Sequence, residues 1–374
     1  MDIFNIEIIT NFLRTNLVTF SIVIFLGAFI CVNLLIPVVI WVAYQKRLTT
    51  PVIARSSHSS RTPAFGGVAF FMTIIVFISF IQIILNDAIG YNIIAAISIL
   101  FMVGLKDDLV NSTARVKLIG QLLACLFIVL SPEFWITSCH GFLHIYEVNP
   151  ILSLLFSIFF MTFIINAYNL IDGIDGLAAM AGIIICGVYA YLFYIKNDAF
   201  FFLISVTTVA ILVAFLRFNL ATNKMKMFMG DCGSLIIGLI IGFLTLHFLV
   251  SKPTPSFQVD YFFIENRILF ITAVLFIPLF DTIRIIIIRI INGKSPFEAD
   301  RNHMHHILID SGLSHLRATL TLGAINLFVL FIFFLLSRTL NSVFMSGFMA
   351  VIYILIAYFF FRLSVKNRMR LNNI

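Results

Sequence analysis

Eleven runs of mostly apolar residues dominate this chain, each close to the roughly 20 residues that carry a helix across a bilayer. They fall at 17–44, 66–85, 90–106, 115–131, 151–171, 177–195, 198–216, 233–251, 267–291, 317–337 and 343–362. Of the 374 residues, 61% are hydrophobic and only 11% charged, and the mean hydropathy of +1.10 means more apolar surface than a soluble core of this size could hide. Backbone polar groups cannot stay unpaired in hydrocarbon, and the runs lack the alternation of transmembrane barrel strands. The expected fold is therefore all-α: a single polytopic membrane helix bundle over residues 1–374, with about eleven transmembrane helices.

The N-terminus lacks a basic stretch followed by a short apolar run and a small-residue cleavage site, so the first run is expected to remain as an anchor. Alternating the connecting segments between the two sides assigns 19 of the 24 Lys and Arg to one of them. That asymmetry predicts an N-terminus outside, a C-terminus inside and a cytoplasmic basic face. The net charge of +7 is then topology and attraction to anionic lipid, and implies no nucleic-acid partner. None of the five cysteines has metal-ligand spacing; they read as small apolar fillers rather than a disulfide framework.

Five polar segments share the basic side under this topology: 57–67, 104–108, 166–176, 228–234 and 300–306. Carboxylates beside apolar helices are expensive unless they face a cavity, a cation or a substrate. Asp107 and Asp108 end one run, and their mutual repulsion calls for a nearby cation or proton. Asn166, Asn169 and Asp172 would stack on one helical face at three-residue spacing, and Gly173 and Gly176, flanking Asp175, would then let backbone approach a ligand. Such amide and carboxylate oxygens suit Mg²⁺. Asp231, between Gly230 and Gly233, begins another helix, whose free N–H groups favour phosphate. Lys117 and Arg115 serve either as membrane anchors or as phosphate partners.

His303, His305 and His306, preceded by Arg301, lack the usual helical pair spacing and thiolate of a zinc site. They suit hydrogen bonding to a pyrophosphate, with a charge tunable near neutral pH. Taken singly, His58, His140, His144 and His247 are expected to be incidental.

Read together, these segments resemble the polyprenyl-phosphate N-acetylhexosamine-1-phosphate transferase family along nearly the whole chain, and the 299–306 stretch is similar to the bacterial undecaprenyl-phosphate GlcNAc-1-phosphate transferase branch. The branch that uses UDP-MurNAc-pentapeptide carries three consecutive histidines where Met304 interrupts them here. The resemblance implies an enzyme of the bacterial inner membrane that transfers a sugar 1-phosphate, GlcNAc-1-phosphate first, from a UDP-sugar to undecaprenyl phosphate with release of UMP. That step would initiate a cell-envelope glycan such as O-antigen or teichoic acid. Other UDP-N-acetylhexosamines and UDP-MurNAc-pentapeptide are the alternative donors, and a homodimer is compatible.

Residue by residue, the resemblance makes Asp231 the principal ligand of Mg²⁺, for which Mn²⁺ could substitute, and Asn169 the second. Asp107 becomes a base or lipid-phosphate organiser supported by Asp108 and Lys117. Phe228, Asp172 and Asp175 would line the nucleotide pocket, and Arg301, His303, His305 and His306 would hold the pyrophosphate or sugar. His58 and Arg61 would touch substrate, while Pro296 and Phe297 would guide the lipid. The 219–226 stretch is longer than the family pattern, which places any role of Asn219 or Asn223 in question. The rival class, a secondary transporter, would place its polar residues near mid-membrane between sequence-symmetric halves, and no such repeat is evident.

Overall fold

The computed structural model describes residues 16–48, 62–85, 87–110, 112–251, 262–295 and 301–372. His58, Arg61, Pro296 and Phe297 lie outside the described residues. Helices occupy all eleven predicted runs. They are α1 (Leu17–Gln45), α2 (Gly66–Leu85), α3 (Ile89–Val110), α4 (Ala114–Val129), α5 (Pro150–Leu170), α6 (Leu177–Ile195), α7 (Ala199–Asn219) and α8 (Gly230–Val250), followed by the pair α9 (Arg267–Val274) and α10 (Asp281–Ile291), a short α11 (Met304–Asp310), α12 (His315–Leu336) and α13 (Ser342–Asn372). Eight are long and apolar enough to cross a membrane, or nine if the bent pair counts as one span. The chain is thus an all-α polytopic membrane protein. A two-stranded antiparallel hairpin, β1 (Ser138–Phe142) and β2 (Ile145–Glu147), is its only sheet among the described residues. All five cysteines are free.

Burial separates lipid-facing helices from the core. On α1 only one stripe is covered, through Ile24, Ala28, Val32, Ile36 and Ile40, while Val23, Leu26, Ile30 and Leu34 stay exposed. An outward apolar face of that kind belongs against lipid. By contrast α8 is buried almost all round and packs against α2, α3 and α5. Small residues make the contacts close, since lipid supplies no hydrophobic drive between helices. A Cβ at Gly67 of α2 would lie 2.2 Å from the backbone nitrogen of Gly233, and one at Gly104 of α3 would lie 2.4 Å from Cys232 Cα. The start of α8 is further pinned by strand-like bonds: Phe228 N–H donates to Pro63 O (2.9 Å), Gly66 N–H to Phe228 O (3.1 Å) and Gly67 N–H to Met229 O (3.1 Å).

The ninth predicted run is not straight. Its two halves, Ile264–Val274 and Phe276–Ile291, meet at 77°, and the second opens with a π-helical turn, Phe276–Phe280, that contains Pro278. Proline removes an N–H and leaves the preceding turn's carbonyls short of a donor. Asn326, fully buried on α12, fills that gap by donating to Ala273 O (3.2 Å) and Val274 O (3.4 Å) and accepting from Ile277 N–H (3.4 Å). A polar side chain deep in a neighbouring helix thereby makes the break tolerable in hydrocarbon.

The end of the bundle bearing the hairpin is held by polar contacts of its own. Asp198 meets His247 (2.6 Å), Lys196 donates to Ser251 Oγ (2.6 Å), buried Arg267 donates to Ser251 O (2.6 Å) and His140 bonds Leu249 O (2.7 Å). His140 and His247, taken as incidental from sequence, are structural ties.

Replacing Asn326 by Leu strands buried backbone groups and is expected to cost on the order of 3 kcal/mol, read as a lower unfolding midpoint in detergent. Gly104→Val forces α3 away from the start of α8 and should cost about 2 kcal/mol in the same assay. Wild-type midpoints in either variant would contradict the packing described.

Candidate active site

Adjacent residues on a helix point about 100° apart, so Asp107 and Asp108 at the end of α3 diverge. Asp108 accepts the N–H groups of Asp231 (2.8 Å) and Cys232 (3.1 Å). It therefore caps the N-terminus of α8 from another helix, where a carboxylate also meets the positive end of the dipole. Gly230 makes the turn into α8 at φ +72°, and a Cβ there would press to 2.2 Å from Ala64 O. With the cap supplied by Asp108, the Asp231 carboxylate is released for other work. The repulsion expected between the paired aspartates is settled by separate partners.

Asp107 turns instead to Lys117 near the start of α4, at 2.7 Å, and accepts the N–H of Ser112 at 2.5 Å. The same Lys117 ammonium contacts Asp231, so one cation bridges two carboxylates from α3 and α8. Asn169, near the end of α5, donates to Asp231 Oδ1 (3.1 Å) and Ser234 Oγ (2.7 Å). Its own carbonyl oxygen then has no partner among the described residues. Asn166, one turn back on α5, pairs instead with Gln121 of α4 at 2.6 and 3.2 Å.

Helix α5 ends at Leu170, so Asp172 sits in the following turn rather than on the helical face predicted for it. Its half-buried carboxylate has no hydrogen-bonding partner among the described residues. Burial, then repulsion from Asp231, Asp108 and Asp175, pushes its pKa up to about 7. Asp175 Oδ2 is engaged by Lys226 (2.7 Å) and His315 (3.2 Å), and the Lys226 ammonium lies 5.5 Å from the Phe228 ring centroid. Asn219 accepts the Gly176 N–H (2.5 Å) and donates to Met227 O (3.0 Å), while Asn223 accepts a local N–H from Met225. Both asparagines hold loops in place.

The histidine segment reaches the same loop. His305, 2% exposed, packs on Gly173 so closely that a Cβ there would lie 2.3 Å from Nε2. Burial holds its pKa down to about 3 and also lowers that of His306. Both shifts run against the charge tunable near neutral pH that the sequence suggested for these rings. His303 is held by Asp281 of α10, whose Oδ2 lies 2.9 Å from Nδ1. Arg301 points elsewhere, to Asp310 at 3.3 Å on the exposed side of α11. Asp281, His303 and His305 do bring three ligand-type atoms within 4.8 Å of one another. A metal there is disfavoured, because Asp281 is already engaged by His303, the Met304 N–H and the Arg284 guanidinium.

Sequence reasoning missed Lys226, His315 and Asp281. The first two carry ordinary signals of a basic loop, but Asp281 was visible as the sole carboxylate inside an apolar run.

The site therefore joins Asp107, Lys117, Asp231, Asn169 and Ser234 by direct contacts, with Asp108 behind them, and the 172–176 turn connects this group to His305 and His315. The sequence model of glycosyl transferase family 4 matches residues 91–249, the part holding the carboxylate group. A decaprenyl-phosphate N-acetylglucosaminephosphotransferase of Mycolicibacterium smegmatis is 30% identical over 285 residues, covering 71% of this chain and 70% of that protein. A probable undecaprenyl-phosphate N-acetylglucosaminyl 1-phosphate transferase of Bacillus subtilis is 29% identical over 341 residues, 90% of this chain and 89% of its own length. A phospho-N-acetylmuramoyl-pentapeptide-transferase of Staphylococcus saprophyticus is 28% identical over 265 residues, 66% and 81% of the two chains. With its membrane bundle, its bridged carboxylates and relatives matched over most of their length, the chain belongs to glycosyl transferase family 4, the family of the polyprenyl-phosphate N-acetylglucosamine phosphotransferases.

Proposed function

We propose that this chain transfers GlcNAc-1-phosphate from UDP-GlcNAc to undecaprenyl phosphate in the bacterial cytoplasmic membrane, with its site on the cytoplasmic face, its N-terminus outside and its C-terminus inside. The observation that carries this reading is the Lys117 ammonium held between Asp107 and Asp231, beside Asn169, where a polar helix end meets an apolar bundle. Two phosphate anions must meet for the reaction, and a site for them needs fixed cations and N–H groups at the membrane surface. The two GlcNAc-phosphotransferase relatives support this donor over UDP-MurNAc-pentapeptide, as does the methionine at position 304.

The donor set suits Mg²⁺. Asp231, the carbonyl oxygen of Asn169 and the Asp172 carboxylate, which has no hydrogen-bonding partner among the described residues, are hard oxygen ligands, and a cation would offset the burial and the neighbouring carboxylates that raise the Asp172 pKa. When bound, Mg²⁺ or Mn²⁺ would neutralise pyrophosphate charge and act as a Lewis acid. The chain's residues do the rest. An oxygen of the acceptor phosphate attacks the sugar-bearing phosphorus, the bridging P–O bond breaks, and its electron pair leaves on UMP. Lys117 meets developing phosphate charge while Asp107 fixes its position. Both oxygens of Asp107 are occupied by Lys117 and the Ser112 N–H, which favours direct displacement over an aspartyl-phosphate intermediate. Lys226, Asp175 and Phe228 form a partly buried aromatic and polar wall suited to uridine. An apolar groove of about 560 Å³ beside the bend, lined by Leu279, Phe280, Ile283, Ile287, Tyr353 and Phe361, suits a lipid tail entering from the bilayer.

Purified protein given undecaprenyl phosphate, Mg²⁺ and a panel of UDP-sugars should release UMP and form lipid product with UDP-GlcNAc first. Substrate flux in vesicles without UMP would instead indicate transport. Asp231→Ala should lower turnover by about 100-fold or more with membrane insertion intact. Chelation with EDTA should stop the wild-type reaction until Mg²⁺ or Mn²⁺ is restored, and activity surviving the chelator would remove the metal from this scheme.

A further inference from the structure

Asp281 is 1% exposed at the start of α10, immediately after the π-helical turn, and is the sole carboxylate of the 267–291 run. A carboxylate so placed survives only if its oxygens are fully engaged. Its partners come from 22 and 23 residues further along the chain: His303 Nδ1 at 2.9 Å from Oδ2 and the Met304 N–H at 3.0 Å from Oδ1. Arg284, one turn on, adds a bond to Oδ1 at 3.0 Å and another to Asn302 O. Three consecutive residues, Asn302, His303 and Met304, are therefore fastened to one face of α10 just before the buried His305 reaches Gly173.

We infer that Asp281 is a positioning residue for the transfer reaction, acting through His303. This rests on the proposed function. Because a carboxylate can only accept here, His303 must carry a proton on Nδ1, which leaves Nε2 as the nitrogen that can serve a substrate. The Met304 bond sets the first turn of α11, so the same carboxylate fixes both the tautomer of His303 and the approach of His305 to the 172–176 turn. The bent span thereby aims the histidine segment at the carboxylate group from the opposite side of that turn. Arg284 also lines the apolar groove, so the element that holds the histidines shares a wall with the proposed lipid path.

A mutant cycle in the purified full-length enzyme tests this. Asp281→Asn keeps the shape but puts an amide where both neighbours need acceptors, and kcat/KM for UDP-GlcNAc should fall on the order of 10- to 100-fold. His303→Asn should fall at least as far, and the double variant should fall no further than His303→Asn alone, because the two residues act as one unit. Losses that multiply, or near wild-type activity in Asp281→Asn, overturn the inference. Should Asp281→Asn not fold, nitrogen-15 NMR of histidine-labelled wild-type protein decides: a proton on His303 Nδ1 is expected, and a ring protonated only on Nε2 overturns it. If the wild type transfers no GlcNAc-1-phosphate, the proposed function fails, while the NMR result still reports on the link between Asp281 and His303.

Discussion

The buried start of α8 is the constraint on which the site depends. Four N–H groups at any helix start lack intrahelical partners, and in this one the helix enters the tightest packing of the bundle. Asp108 supplies the acceptors from α3, while glycines at 67 and 104 let α2 and α3 come close enough for that reach. Had Asp231 capped its own helix end, Lys117 would keep only Asp107 and Asn169 would lose its carboxylate partner. Chemistry at Asp231 is thus bought by a neighbour's side chain and by the absence of two others.

A second dependence runs through the bend between α9 and α10. Pro278 breaks the hydrogen-bond ladder, Asn326 repairs it, and the redirected α10 presents Asp281 to the histidine segment. A helix break, a distant polar side chain and the histidine segment are linked in one path. Along that path Asn326 and Asp281 find partners on different elements, which ties assembly of the bundle to assembly of the site.

The bundle was legible because apolar runs of bilayer length leave few alternatives, and the polar segments were legible because carboxylates and glycines are conspicuous at the ends of such runs. Asp107, Asn169, Asp231 and Lys117 could be gathered on one side from topology alone. Their division of labour could not. Whether Asp107 or Asp108 faces the site depends on helical phase at the last turn, and the cap that Asp108 provides spans 123 residues. Asp172 was assigned to a helix that stops two residues before it. The near-neutral titration expected of His305 failed because sequence shows that a histidine is present and not how deeply Gly173 lets it sink. Lys226 and His315 were hidden for the same reason: Asp175 finds one of them 51 and the other 140 residues away.

At the far end of the bundle, Arg267, Lys196, Asp198 and His247 clasp the ends of four segments through contacts of 2.6 Å. Ion pairs and charge-assisted bonds in a partly dry setting are stiff. That rim ties the ends of α6 and α8 to the starts of α7 and α9, so at the end of the bundle away from the carboxylate group these four helices have little freedom to shift independently.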